Sequence, residues 1–446
     1  MPAAEQDSLL ESDETGVVRW LGSESRIVSS QKGASSAVTS LSDGSGIGCV
    51  WSLDERMRFV PKQIEPLAQC TKRRTLVVTL ASGRQLAAVA GQALLKVEGW
   101  VAIEKLDIGS RIAIPRRIPE PDDVQSMPAA EVILLAHMIG DGSCIKRQPV
   151  RYASIDEQNL AAVVAGAEHF GVTAVRDEYP VARCVTLRLR SPERLTHGKR
   201  NPIAAWLDGL GLFGLRSYEK FVPAKVFALP NTQVALFVRH LWATDGSVRW
   251  DAKGHQARVY YATTSQRLAD DLVQLLLRLG VHGRVKRVPK SGYRDCYHVT
   301  IDGAENQRLF LQDIGVHGQR GDHARRVLEE LATVAPNTNV DTVPREVWTV
   351  VRQSLTRTGM THRGFAAAMN TQFCGSTMWK HSPSRARLAR IASVLDDPGL
   401  ALLAGSDVFW DRIVGCVDVG MQDALAVRTT DPINLVANGV CTTPGD

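Results

Sequence analysis

The chain has 446 residues, enough for two or three domains, and its 44% hydrophobic content supports packed cores. Its 53 basic and 47 acidic residues give a formal net charge of +6, which modestly favours a polyanionic partner. No apolar run approaches the roughly 18 residues needed to span a bilayer, and the eight cysteines lack the paired spacing of a zinc site or a disulfide framework. The polar N-terminal segment does not resemble a signal peptide, and the scattered cysteines suit a reducing compartment, so we expect a cytoplasmic protein.

The first part of the chain is predicted to be β structure. Residues 77–86 are typical of a hairpin with Ser82-Gly83 at its turn, and residues 97–115 continue this pattern.

Two later segments, residues 134–142 and 238–246, each carry an apolar run directly into an Asp-Gly pair. The two acids, Asp141 and Asp245, are each predicted to stand at the end of an apolar helix. Two adjacent carboxylates can hold a divalent metal ion, and a metal ion held in this way can support phosphodiester cleavage. One such segment alone is more often a helix stop or a turn.

A duplicated unit argues against coincidence. Tyr152-Ala-Ser and Phe170-Gly-Val172 are matched 109 residues later by Tyr261-Ala-Thr and Leu279-Gly-Val281, and Leu210-Gly-Leu212 is echoed at residues 314–316. Each copy is predicted to fold as helix, two strands, helix, two strands, helix. The unit therefore places one Asp-Gly motif at the same point of each copy.

Positive charge concentrates near the predicted strands of both copies. Along residues 185–190 arginines alternate with apolar residues, so they are predicted to project from one sheet face. Two basic ribbons can straddle DNA and enter its major groove, whereas the alternative is an ordinary solvated face. The residues predicted to contact DNA here are Arg183, Arg188, Arg190, Arg284, Lys286, Arg287, Lys290 and Arg294.

Residues 339–410 are predicted to form a small helical module. Pro344 opens one helix, residues 361–369 have helical spacing, and Ser384 suits the N-cap of a third helix. Three short helices with a basic turn resemble a helix-turn-helix unit, and the alternative is a helical linker that packs on the nuclease. The residues predicted to contact DNA in this module are Lys380, Arg385 and Arg387.

The two motifs and the duplication resemble LAGLIDADG homing endonucleases of the two-motif (DOD) kind found inside inteins. The resemblance implies that the motif helices pack side by side about a pseudo-two-fold axis. It also implies that Asp141 and Asp245, with Gly140 and Thr244, hold Mg²⁺ or Mn²⁺ over the cleaved strands. The expected partner is double-stranded DNA with a long asymmetric site, bound by a monomer that acts as a pseudo-dimer.

Close packing of the motif helices requires small side chains one turn apart. Ala136 and Gly140 provide them in the first motif, but His240 and Thr244 are bulkier, so a looser crossing is expected at the second.

Members of the resembled family often carry a lysine just before an Ile/Val-Pro pair in the first repeat, poised near the scissile phosphate. Lys220 fits this position and is the third predicted catalytic residue, with Asp141 and Asp245. Asp341 occupies the corresponding place in the second repeat, so the lysine is not expected to be duplicated.

Both ends of the chain resemble the protein-splicing (Hint) domain of inteins, most closely inteins of actinobacterial replicative helicases. The matching stretches are residues 50–55, 77–115, 423–427 and 434–440. The resemblance predicts an α+β protein in which two αββαββα repeats are inserted into a split all-β domain. The expected boundaries are 1–118 and 411–446 for the Hint-like parts, 119–232 and 233–338 for the repeats, and 339–410 for the helical module.

The residues that splicing needs are missing from the matching positions. Residues 9–18 contain no cysteine nucleophile, Val89 and Gln92 stand where the family has threonine and histidine, and Thr443 and Pro444 stand where it has His-Asn. We therefore expect a freestanding, intein-derived double-strand DNA endonuclease that no longer splices. The alternatives are a non-cutting DNA-binding protein on the same scaffold, or a splicing-competent intein if the reading frame extends beyond both ends.

Overall fold

The computed structural model describes residues 17–23, 25–31, 33, 35–37, 48–177, 184–193, 199–335, 340–429 and 433–445. Arg183, one of the predicted DNA-contacting residues, lies outside this part of the chain. Two compact units are present: residues 1–31, 35–115 and 341–446 form the first, and residues 32–34 and 116–340 form the second. None of the helices in the described ranges is both long and apolar enough to cross a membrane.

The N-terminal part of the first unit is built mainly from strands. They are β1 (Val17–Gly22), β2 (Arg26–Val28), β3 (Ser35–Ala37), β4 (Gly48–Leu53), β5 (Phe59–Leu80), β6 (Gln85–Val89), β7 (Ala93–Lys96), β8 (Gly99–Ala102) and β9 (Arg111–Pro115). The predicted hairpin is present between β5 and β6, and Gly83 in its turn has a φ of 84°, a value that glycine adopts without strain.

The second unit begins with the first repeat, whose strands form one antiparallel sheet in the order β10-β11-β13-β12. Its elements are α1 (Ala129–Gly140), β10 (Gly142–Ser143), β11 (Arg151–Ser154), α2 (Glu157–His169), β12 (Thr173–Asp177), β13 (Val185–Arg190), α3 (Pro202–Gly209) and α4 (Ala224–Phe227).

The second repeat has a sheet of the same topology, in the order β14-β15-β17-β16. Its elements are α5 (Asn231–Asp245), β14 (Gly246–Asp251), β15 (Gln256–Thr263), α6 (Gln266–Arg278), β16 (Gly283–Val288), β17 (Cys296–Ile301), α7 (Ala304–Leu309) and α8 (Gln319–Ala332). In both repeats the motif helix runs directly into the first strand, so the two acids occupy equivalent positions.

One hydrophobic core runs through both repeats and contains most of α1 and α5. Both helices are buried on nearly every side, which explains why their sequences are apolar runs without a polar stripe. The ends of these two helices are therefore held in place by the packing of the whole unit.

The chain then returns to the first unit and completes its sheets. The remaining elements are α9 (Val347–Thr358), α10 (His362–Ala368), α11 (Arg385–Leu395), α12 (Pro398–Gly405), β18 (Val408–Thr429), β19 (Leu435–Ala437) and β20 (Val440–Thr442). Strand β18 pairs with β1, β5 and β9, so strands from both ends of the chain share a sheet. Residues 341–405 contain four helices instead of three, and they belong to the same compact unit as these strands.

Candidate functional site

The motif helices α1 and α5 approach most closely at their C-terminal ends. A Cβ atom built on Gly140 would lie 2.1 Å from Oγ1 of Thr244, a separation that real side chains do not reach. The expectation of a looser crossing at Thr244 is therefore wrong, because the missing side chain of Gly140 leaves the space that Thr244 fills. This contact brings the next residues of the two helices, Asp141 and Asp245, into one site.

The position that follows each acid requires glycine for steric reasons. A Cβ atom on Gly142 would lie 2.5 Å from Cα of Met138, and one on Gly246 would lie 2.2 Å from the carbonyl oxygen of Trp242. At both positions the chain folds back against the last turn of its own helix as it enters the next strand. The carboxylate of each Asp-Gly pair therefore lies at the turn between the motif helix and the strand that follows it.

The pKa values of the two carboxylates are raised, although two cations lie nearby. Burial, and then the neighbouring charge of Asp245, raises the pKa of Asp141 to about 6, although Arg320 and Lys220 act in the opposite direction. Burial also raises the pKa of Asp245, against the lowering effects of Lys220 and Arg320. An acidic site of this kind favours binding of a cation.

Lys220 lies buried beneath the end of α1. Its Nζ atom donates hydrogen bonds to the carbonyl oxygens of Met138 (3.0 Å), Ile139 (2.9 Å), Gly140 (3.2 Å) and Gly142 (2.7 Å). Burial lowers the pKa of Lys220, and the nearby acids oppose that shift. The ammonium group therefore provides hydrogen-bond donors for carbonyl oxygens that the helix end leaves unpaired. Its positive charge also balances part of the negative charge on the two acids.

Arg320 plays the matching part at the end of α5 and was missed by the sequence prediction. Its guanidinium donates to the carbonyl oxygens of Ala243 and Thr244, and its charge lowers the pKa of both acids. Each helix end thus has its own cation. Asp341, at the expected place of a second lysine, instead forms an ion pair with Arg385 in the first unit.

The predicted metal ligands form a chemically suitable donor set. Two carboxylates and the main-chain oxygens of Gly140 and Thr244 converge, and Mg²⁺ commonly binds through one or two carboxylates while keeping several waters. Both main-chain oxygens already accept hydrogen bonds from Lys220 and Arg320. Within the described ranges, no group of three or more His, Cys, Asp or Glu residues could hold a metal ion instead.

A histidine cluster fills the helix interface one turn below the acids. Nδ1 of His137 lies 2.9 Å from the hydroxyl of Tyr152, its Nε2 lies 3.1 Å from Nδ1 of His240, and His317 stacks on His240 with ring centroids 4.2 Å apart. Burial lowers the pKa of His240 to about 3 and that of His137 well below its usual value. Both of these rings are neutral near pH 7, so the contact between His137 and His240 joins the two helices without adding charge.

The basic strand residues divide by sheet face. Arg188 and Arg190 are exposed while the alternating Leu187 and Leu189 are buried, in agreement with the predicted alternation. In the second repeat Arg284 and Lys286 are likewise exposed on one face.

Arg287, one position after Lys286, lies on the opposite face of β16. It pairs with Asp295, as Arg188 pairs with Asp177 and Arg284 with Asp302, and it remains exposed, so its contact with DNA stays a prediction. Three more arginines, which the sequence prediction missed, share these faces: one stands opposite Arg188 across β11 and β13, and the other two stand opposite each other across β14 and β15. They are Arg151, Arg249 and Arg258.

The remaining two predicted residues of the second repeat are Lys290 and Arg294. Lys290 and Asp245 line one pocket of about 320 Å³, together with Ser217. The guanidinium of Arg294 lies 3.7 Å from the ring centre of Tyr218. Lys290 thus shares a pocket with Asp245, one of the two predicted metal ligands.

In the helical module, Arg385 does not fit its predicted role. Its side chain is only 9% exposed, pairs with Asp341, and donates to the carbonyl oxygens of Leu403 and Ala404 at the end of α12. Arg385 therefore holds the module together, and only Lys380 and Arg387 of the three predicted residues are exposed.

The four positions predicted to have lost splicing residues lie in a buried part of the first unit. Oε1 of Gln92 accepts from the main-chain N–H of Val89 at 2.7 Å, and its Nε2 donates to the carbonyl oxygen of Thr443 at 3.1 Å. Pro444 is buried, and a Cβ atom on Gly445 would lie 2.9 Å from both Val89 and the carbonyl oxygen of Ala90. The site is filled by an amide network, with no room for a side chain at position 445.

The raised pKa of Asp141 predicts a pH-dependent effect of removing its charge. Because the folded-state pKa lies near 6 instead of 3.8, the wild-type protein loses stability as pH rises through 6. Without divalent metal, Asp141→Asn should be more stable than wild type by about 1 kcal/mol at pH 7.5, since partial exposure reduces the full effect of the shift. Urea unfolding in chelator should show this gain shrinking below pH 6 and vanishing near pH 4; a gain independent of pH would contradict it.

Comparison with known proteins identifies the second repeat: residues 232–315 match the LAGLIDADG-like domain family. The replicative DNA helicase DnaB of Synechocystis is 34% identical over 403 residues, which cover 88% of this chain and 45% of that protein. The chain thus spans about half the length of the curated relatives it matches.

Solved structures show only low similarity. A DnaB intein from Synechocystis is 20% identical over 22% of this chain and 70% of that chain, with a TM-score of 0.20. The complex of I-DmoI with DNA and Mn is 16% identical over 42% of this chain and 96% of that chain, with a TM-score of 0.29. The chain therefore contains a LAGLIDADG-like domain within a mixed α/β protein.

Proposed function

We propose that this protein is a site-specific, double-strand DNA endonuclease that uses Mg²⁺ or Mn²⁺ and derives from an intein. One observation carries the proposal: two buried helices, pressed together at Gly140 and Thr244, end in a pair of carboxylates flanked by two cations. Such a pair has little structural benefit, because its mutual repulsion opposes folding. Its chemistry suits divalent metal and phosphate.

Asp141 and Asp245 would hold the metal, with the main-chain oxygens of Gly140 and Thr244 as further donors. When bound, the metal supplies Lewis-acid stabilisation of phosphate charge and lowers the pKa of a bound water. Lys220 and Arg320 balance the carboxylates and place positive charge beside the phosphate that is cut.

The exposed sheet faces would bind the duplex. Arg188, Arg190, Arg284 and Lys286, with the newly recognised Arg151, Arg249 and Arg258, provide donors for phosphates and base edges. Because the two repeats differ in sequence on these faces, the preferred site would be long and asymmetric. Binding should therefore weaken steeply with salt.

The relationship to inteins of replicative helicases is also part of the proposal. Alignment of 88% of the chain with less than half of a replicative helicase is what a segment inserted in that helicase would give. Splicing would be lost, because Gln92 cannot exchange a proton as imidazole does, and Pro444 cannot cyclise as asparagine does. The crowding around Gly445 supports this reading.

The experiment uses plasmids that carry either the uninterrupted gene of a helicase relative or a random library, with Mg²⁺. Wild-type protein should linearise its target, whereas the Asp141→Asn/Asp245→Asn double variant should bind the same DNA without cutting. Equal binding by both proteins with no cutting by either would favour the non-cutting alternative. Absence of both binding and cutting across the library would contradict the proposal.

A further inference from the structure

The helical module has an unusual charge pattern. Residues 347–395 contain seven lysines and arginines and not a single aspartate or glutamate. A stretch of this length without acids creates a positive potential that attracts a polyanion. The positive charge of the module therefore suits binding to nucleic acid. This holds whichever of its helices makes the contact.

The structure uses part of this charge internally. Arg357 pairs with Asp397, Arg385 pairs with Asp341, and Arg390 donates to the carbonyl oxygen of Met369. The side chains of Arg363 and Lys380, on either side of the segment that follows α10, are exposed. Arg352 on α9 and Arg387 on α11 are exposed as well, so the available charge surrounds this segment and extends onto the two helices.

The segment after α10 is held from one side only. Asn370 turns the chain in the left-handed region with a φ of 51°, and residues Gly375–Trp379 then form a short 3-10 helix. Met378 is buried, and the ring of Trp379 lies 5.0 Å from that of Trp348 and 6.2 Å from that of Phe365. This anchoring leaves the other side of the segment facing solvent.

That solvent-facing side carries groups that can read base edges. Gln372 and Thr377 are exposed and polar, and the ring of Phe373 is 44% exposed. A glutamine can bind adenine with two hydrogen bonds, and a phenylalanine can contact the methyl group of thymine in the major groove. Such a mixture on an anchored turn is typical of base readout.

We propose that residues 372–380 form a second DNA-reading surface that enters the major groove. Gln372 and Phe373 contact base edges, and Arg363 and Lys380 contact phosphates on either side. This inference rests on the proposed endonuclease function, and it adds the 3-10 segment to the contact predicted on α11. The nuclease repeats would then specify one block of base pairs and the module another.

The test selects duplexes from a random DNA pool with the full chain carrying Asp141→Asn/Asp245→Asn, so that binding is measured without cutting. The added variants are Gln372→Ala/Phe373→Ala for base readout and Arg363→Gln/Lys380→Gln for phosphates. The matched control is Arg345→Gln, because Arg345 is 74% exposed, lies in the same module and is next to Glu346. Thermal unfolding verifies that each variant is folded.

The readout variant should lose one block of specified base pairs and bind its former site at least 10-fold more weakly. The phosphate variant should weaken binding to all sequences and reduce the slope of log affinity against log salt by about 2. The control should match the parent. If both variants select the parent's site with its affinity, or if only an RNA pool reveals a difference, the inference is overturned. No binding by the parent itself would overturn the endonuclease proposal together with it.

Discussion

Lys220→Met should destabilise the protein by about 3 kcal/mol and reduce cleavage at least 100-fold. The lysine is buried, donates to four carbonyl oxygens at the end of α1, and partly balances both acids. Removing one partner of a buried charge cluster leaves the remaining groups unpaired, which costs about 3–5 kcal/mol in comparable sites. Urea unfolding and plasmid cleavage measure the two effects.

Lys225→Met is the matched control, because Lys225 is an exposed lysine only five residues away. It should change the free energy of unfolding by no more than about 0.5 kcal/mol. If Lys220→Met is as stable as this control, the ammonium group does not support the helix end as described.

Gly140→Ala should have an effect of similar size, because its Cβ atom would overlap Thr244 on α5. We expect a loss of about 3 kcal/mol from overpacking, together with loss of cleavage as the two helix ends are forced apart. Restoring space on the other helix with Gly140→Ala/Thr244→Gly should recover stability relative to Gly140→Ala. Unfolding of the single and double variants gives the coupling energy directly.

Gly209→Ala is the control for this experiment. Gly209 ends α3, has no atoms near its Cβ position and does not have a positive φ, so alanine should be neutral or slightly stabilising. Equal losses at positions 140 and 209 would show that helix contact at Gly140 is not the cause.

The arrangement of the acids could be predicted from sequence because it depends on local patterns that occur twice. Apolar runs ending in Asp-Gly placed Asp141 and Asp245, and alternation along residues 185–190 placed Arg188 and Arg190 on an exposed face. The burial of the two motif helices and the sheet face of the arginines can both be read from these patterns without knowledge of the tertiary fold.

The environment of the acids could not be predicted, because it is built from residues distant in the chain. The 104-residue offset pairs Arg320 with Arg216, not with Lys220, so no repeat pattern points to the second cation. The internal use of Arg385 was equally hidden, since its partner Asp341 and the end of α12 come from other segments. The contact of Gly140 with Thr244 depends on the close approach of two helices. The sizes of the side chains on the second helix alone led to the wrong expectation of a looser crossing.

The most direct measurement of the central claim compares Asp141→Asn and Asp245→Asn single variants on a DNA site that the wild-type protein cuts. Both variants should bind the site and each should lose at least 1000-fold in double-strand cleavage with Mg²⁺, since both carboxylates would belong to one metal centre worth several kcal/mol of transition-state stabilisation. Wild-type cleavage of both strands by either single variant would contradict the two-carboxylate site.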